Sequence, residues 1–92
     1  MTISVIIPTF NEAENITKLI TFIKHVGRRE VAEILVVDGG STDDTCVQAQ
    51  DCGATVIRAN QCSRASQMNL GAKSAVGNIL YFVHADVALL SS

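Results

Sequence analysis

Apolar residues in this chain fall into short β-prone runs separated by longer stretches with helical spacing. Residues 3–7 (ISVII) form the first run, closed by Pro8 and the polar turn Thr9, Phe10, Asn11, Glu12. Ile16, Leu19, Ile20 and Ile23 then recur at helical intervals, predicting a helix over residues 13–26. Asn11 followed by Glu14 has the spacing of a capping box at its start. Residues 34–37 (ILVV) predict a second strand ending at Asp38, after which Gly39, Gly40, Ser41 and Thr42 turn into a second helix that reaches about residue 52 and stops at Gly53. Residues 54–58 read as a third, weaker strand. A polar loop over 59–63 leads into a third helix over 64–76, ended by Gly77, and residues 78–83 form a fourth strand that delivers His84, Ala85 and Asp86.

Strands alternating with helices at this pitch predict an α/β fold: a parallel sheet with right-handed crossover helices. In such sheets ligands sit beyond the carboxyl ends of the strands. That rule gathers residues 9–12, 38–41 and 84–86 along one edge, so that three polar clusters face one crevice.

Composition narrows the functional classes. With 92 residues, 48% of them apolar and 17% charged, the chain makes one domain at most and has no disordered signature. A net charge of −2 gives no electrostatic case for nucleic acid, and the one basic cluster, Lys24, His25, Arg28 and Arg29, reads as a solvated helix end. Three cysteines, Cys46, Cys52 and Cys62, without a CxxC pair suit a reducing compartment and read as small buried hydrophobes. No apolar run approaches the roughly 18 residues of a membrane span, so the expected location is cytoplasmic.

The turn after the first strand, PTFNEAEN, lacks the glycines of a dinucleotide-binding fingerprint, and no P-loop is present. Asp38 still suits a nucleoside: a carboxylate at a strand end accepts from a base N–H or a ribose hydroxyl, and Gly39 and Gly40 allow close approach. It reads equally well as a loop or helix cap. Glu12 bridges a ribose or satisfies backbone N–H groups at the first helix. Arg64 gains nothing from the dipole of the helix it opens, which points to a diphosphate or carboxylate partner, or to a plain surface arginine. In an extended segment His84 and Asp86 project to the same side, and a carboxylate there can hold Mg²⁺ or Mn²⁺ against phosphate oxygens.

Three stretches, SVIIPTFNEAENI, ILVVDGGSTDDT and RASQMNLGAKSAVGNILYFVHADV, occur in that order over nearly the whole chain. Together they resemble the nucleotide-sugar-binding half of a family 2 glycosyltransferase with the GT-A fold. The resemblance implies a Rossmann-like half domain over residues 1–92 with strand order 3-2-1-4. It implies that Pro8, Thr9 and Glu12 line a nucleoside pocket, that Asp38 contacts the base, and that Arg64 lies near the nucleotide. Asp86 matches the metal-holding aspartate of the family's DxD motif, with Mn²⁺ or Mg²⁺ as the cofactor. His84 stands where the first aspartate of that motif usually stands, which bears on the ribose or metal contact made from there, imidazole being a softer ligand than carboxylate.

The resemblance also implies an acceptor half and a carboxylate general base after the DxD strand, neither of which residues 1–92 contain. No residue is therefore assigned as catalytic. The expected function is donor binding for an inverting, metal-dependent sugar transferase, inactive as an isolated chain. The alternatives are a non-catalytic nucleotide-binding or interaction module, and a phosphatase or receiver-like domain with Asp86 or Asp38 as a phosphorylated nucleophile. The fourth strand, apolar and free of lysine and proline, is expected to form an exposed edge and to draw copies into a homodimer.

Overall fold

The structure, a computed structural model, describes residues 2–27 and 29–85. Its elements run β1 (Ile3–Thr9), α1 (Ala13–Gly27), β2 (Val31–Asp38), α2 (Thr45–Asp51), β3 (Thr55–Arg58), α3 (Arg64–Ser74) and β4 (Ile79–Phe82). The four strands form one parallel sheet in the order β3-β2-β1-β4, as expected for a GT-A-like half domain. α1 and α2 pack together on one face, and α3 lies against β1 and β2 on the other.

Strand alternation divides the core between the two faces. Val5, Ile7, Ile34 and Val36 meet Ile16, Leu19, Ile20 and Ile23 of α1 in the larger cluster, while Ile6, Leu35 and Val37 form the smaller one beneath α3. Each fully buried isoleucine contributes on the order of 2 kcal/mol through apolar burial. α3 approaches the sheet closely because Gly71 faces it: a Cβ there would stand 2.5 Å from Ile6 Cγ2.

Pro8 does not end β1 as the sequence reading expects; it lies inside the strand, in register with Val37. Proline is tolerated because Ile6, two residues earlier, turns its carbonyl toward β4 and accepts from Val83 N–H, so Pro8 faces β4 where the β1–β4 ladder has ended at Phe82. The expected capping box at α1 is replaced by another arrangement. Asn11 sits at φ 54° and spends Oδ1 on the Thr42 N–H at 2.8 Å, while Asp43 Oδ2 accepts from Ala13 N–H at 3.2 Å and so caps α1 from the neighbouring loop. The basic helix end has a structural task in part, since Lys24 Nζ donates to the carbonyl of Cys52 at the end of α2.

β4 forms an edge, and all four of its residues are exposed, from 36% at Leu80 to 60% at Tyr81. Among the described residues no helix is long and apolar enough to cross a membrane.

Candidate functional site

The carboxyl ends of β1 and β2 are joined by Asp38, which is fully buried and in register with Thr9. Asp38 Oδ1 accepts from Thr9 Oγ1 at 2.9 Å and Ser41 Oγ at 2.5 Å; Oδ2 accepts from Ser41 N–H at 2.7 Å and Gly40 N–H at 3.0 Å. Two donors on each oxygen fill the lone pairs of a carboxylate. Burial pushes its pKa up, but the hydrogen bonds from Ser41, Thr9 and Gly40 outweigh that and hold it below the ordinary value. Asp38 is thus an organiser of the loop over residues 39–41, and in this state each of its lone pairs is already committed.

That loop is stitched to the β1–α1 turn. Ser41 Oγ accepts from Asn11 N–H at 2.7 Å, and Thr45 Oγ1 accepts from Glu12 N–H at 2.8 Å. Glu12 in turn offers its carbonyl to Asn15 and Ile16 at the start of α1. Two turns some thirty residues apart in sequence therefore hold each other's shape. Nearby, burial first and the Asp38 charge second raise the pKa of the Cys46 thiol, which marks it as an inert packing residue.

α3 closes the third side. Ser63 caps it by accepting from Ser66 N–H, Arg64 is exposed in its first turn, and Gln67, 3% exposed, is buried against the sheet. Pro8, Thr9, Phe10, Glu12, Cys62, Arg64 and Gln67 line one cleft of about 290 Å³. Four of the residues picked from the sequence, Pro8, Thr9, Glu12 and Arg64, thus meet in a single cleft, with Asp38 hydrogen-bonded to Thr9 behind it. Cys62 is exposed at this cleft, correcting the expectation that all three cysteines are buried. Phe10 and Gln67 also line the cleft, and the sequence motifs do not single them out. The available signal for Gln67 was its position, three residues after Arg64 and four before Gly71, on the stripe of α3 that the sheet covers.

His84 follows β4. Val83 and Ala85 pack into the core beneath α1, and His84 stands between them in the segment that follows β4. Its Nδ1 is buried and, among the described residues, is the one buried side-chain polar atom with no hydrogen-bond partner. Such an atom costs free energy unless a partner satisfies it. Asp86 lies outside the described residues. Among the described residues no group of three His, Cys, Asp or Glu side chains is placed to hold a metal ion.

Comparison with known proteins decides what kind of edge this is. The chain matches the family described as Glycosyl transferase family 2 over residues 4–91. It belongs to that family. Glucosyl-3-phosphoglycerate synthase of Mycobacterium tuberculosis is 33% identical over 94 residues, covering 94% of this chain and 29% of that protein. Dolichol-phosphate mannosyltransferase of Pyrococcus furiosus is 34% identical over 92 residues, covering 95% and 26%. A crystal structure of the mycobacterial synthase with Mn²⁺, UDP-glucose and phosphoglyceric acid superposes with a TM-score of 0.79 at 32% identity, over 92% of this chain and 33% of that one. The chain therefore spans about a third, or less, of the length of these relatives. A family 2 domain with a GT-A-like sheet accounts for the cleft at the carboxyl edge and for the polar clusters that converge there.

Proposed function

We propose that this chain binds a nucleotide diphosphate sugar across the carboxyl edge of its sheet, as the donor-binding part of an inverting glycosyltransferase. The observation that carries this reading is the meeting of Pro8, Thr9, Glu12 and Arg64 in one cleft, bordered by the loop that Asp38 organises. The similarity to a synthase whose structure contains UDP-glucose and Mn²⁺ supports it. Pro8, Thr9 and Glu12 line the nucleoside side, and Arg64 offers a guanidinium to the diphosphate. Asp38 acts mainly by shaping the loop over residues 39–41; a base N–H that reaches its carboxylate does so by replacing the Ser41 hydroxyl.

Asp86 would hold Mn²⁺ or Mg²⁺, and His84 Nδ1 would face the ribose, the diphosphate or the ion from the position beside it. When bound, the divalent ion neutralises charge on the leaving diphosphate. The base that deprotonates an acceptor hydroxyl belongs to no residue assigned in this chain, so residues 1–92 bind donor without transferring sugar. The cytoplasm remains the proposed compartment, from the unpaired cysteines alone.

Calorimetric titration with UDP, GDP and dTDP, each with and without Mn²⁺, tests the reading. The expected result is weak binding of one nucleotide, tightened by Mn²⁺, with Asp86→Asn abolishing the metal-dependent part. Equal affinity with and without metal would sink the metal assignment, and robust transfer to an acceptor by the pure chain would sink the claim of inactivity. Binding without transfer is also what a non-catalytic nucleotide module gives. Restoration of transfer by a longer chain carrying an acceptor half separates the two.

The exposed β4 edge favours association with a second copy. Ile79, Leu80, Tyr81 and Phe82 are all apolar or aromatic and exposed, and a hollow of about 310 Å³ lined by Ile3, Val5, Ile23, Tyr81 and Val83 lies beside them. A second copy presents the same edge, so a two-fold pairing satisfies both at once.

A further inference from the structure

We propose that Gln67 is the positioning residue of the nucleoside subsite, the side chain that fixes the spacing of the two strand ends carrying Thr9 and Asp38. This rests on the donor-site reading above. Gln67 Nε2 donates to the carbonyl of Thr9 at 2.9 Å and to the carbonyl of Val37 at 2.7 Å. Both acceptors are backbone oxygens, which cannot donate, so the amide has one allowed orientation and both of its hydrogens are used. One side chain of α3 thereby ties the end of β1 to the end of β2. The Thr9 carbonyl also accepts from Gly39 N–H at 2.9 Å, which places the first residue of the Asp38 loop in the same cluster.

The packing around Gln67 leaves little play. A Cβ on Gly39 would stand 3.0 Å from Gln67 Oε1 and 3.0 Å from Cys62 Cα, so the loop after β2, the amide and the segment before α3 are in contact. Gln67 is 3% exposed and yet lines the cleft beside Thr9, Glu12 and Arg64. A buried amide on an otherwise apolar helix–sheet contact is costly unless its hydrogen bonds have a use. Here they hold the wall of the cleft. A methionine of similar length fills the same volume but donates nothing, and a glutamate turns an oxygen toward two carbonyl oxygens.

The test compares the parent chain with Gln67→Met and Gln67→Glu by amide hydrogen exchange without ligand and by calorimetry with UDP and with inorganic pyrophosphate, both in the presence of Mn²⁺. In Gln67→Met the Gly39 and Ser41 amides should exchange about tenfold faster, while amides of α1 keep their protection. UDP affinity should fall about tenfold and pyrophosphate affinity should hold, with Gln67→Glu worse on both the exchange and the UDP measurement. A merely structural glutamine would instead loosen the whole domain uniformly, leaving the ratio of UDP to pyrophosphate affinity unchanged, and that result overturns the proposal. Unaltered exchange at Gly39 in a folded Gln67→Met chain overturns it as well. Failure of the parent chain to bind UDP overturns the donor-site reading itself, whereas UDP affinity kept in Gln67→Met overturns only the role of Gln67.

Discussion

At the β1–β2 end of the sheet, Asp38 is wholly buried and receives hydrogen bonds from Thr9, Gly40 and Ser41. At the β4 end, the strand residues are exposed and His84 Nδ1 is buried without a partner. Both regions lie on one carboxyl edge and serve one proposed ligand. The first is satisfied from within the chain: its polar groups pair with one another, so its shape exists before a nucleotide arrives. The second has an unmet polar atom and bare apolar surface, which under the proposed function a ligand at His84 and a protein surface against β4 would cover. Preorganisation on one side and an unmet polar atom on the other are consistent with the proposed donor-binding role, in which the nucleoside end is shaped in advance.

The contrast is broken most severely at Asp38. Asp38→Ala leaves the Thr9 and Ser41 hydroxyls and two N–H groups without their acceptor, so unfolding free energy should drop by about 3 kcal/mol, read from urea denaturation. Nucleotide binding should be lost in the same variant even at temperatures where it stays folded.

Acid probes the same hub without mutation. The folded-state pKa of Asp38 lies below the ordinary 3.8, so the unfolded chain takes up the proton first. Its stabilisation is complete above 3.8 and is lost as pH falls through the lower folded-state value. The urea midpoint of the parent should therefore fall on acidification through that window, and Asp38→Ala should show a shallower fall.

Much of the frame was legible because it follows from local pattern. The runs 3–7, 34–37, 54–58 and 78–83 each hold a strand, and the helical spacing of Ile16, Leu19, Ile20 and Ile23 marks the buried face of α1. What escaped depends on partners distant in sequence. The Asn11–Thr42, Glu12–Thr45 and Ala13–Asp43 hydrogen bonds join two turns that only the parallel pairing of β1 and β2 brings together. Asn11 followed by Glu14 accordingly looked like a local cap. Gln67 escaped for the same reason: its value lies in two carbonyls 58 and 30 residues away. Pro8 looked like a strand end because its missing N–H matters only on a side with a partner, and the β4 ladder has already stopped there.

The incomplete side predicts smaller effects on stability and of opposite sign. His84→Leu removes a buried unpaired nitrogen and should raise stability by up to about 1 kcal/mol in the ligand-free chain. The same substitution should weaken the Mn²⁺-dependent part of UDP binding, so a melt and a titration move in opposite directions. Loss of stability in His84→Leu would indicate that the imidazole is satisfied within the fold.

Leu80→Lys should change stability least, within about 0.5 kcal/mol, because the side chain is on an exposed edge. It should nonetheless shift the mass measured by light scattering at high micromolar concentration from dimer to monomer. A parent chain that is already monomeric at that concentration removes the reason for the association.

The central claim is that the finished and unfinished ends of this edge bind two parts of one ligand. Amide spectra of the ¹⁵N-labelled chain titrated with UDP, first with Mg²⁺ and then with trace Mn²⁺, test it directly. The account predicts that UDP shifts the amides of Thr9, Glu12, Gly39, Ser41 and Gln67. Paramagnetic broadening from Mn²⁺ should then centre on His84 and weaken with distance toward Gly39. Shifts confined to other faces of the domain, or broadening centred away from His84, would contradict it.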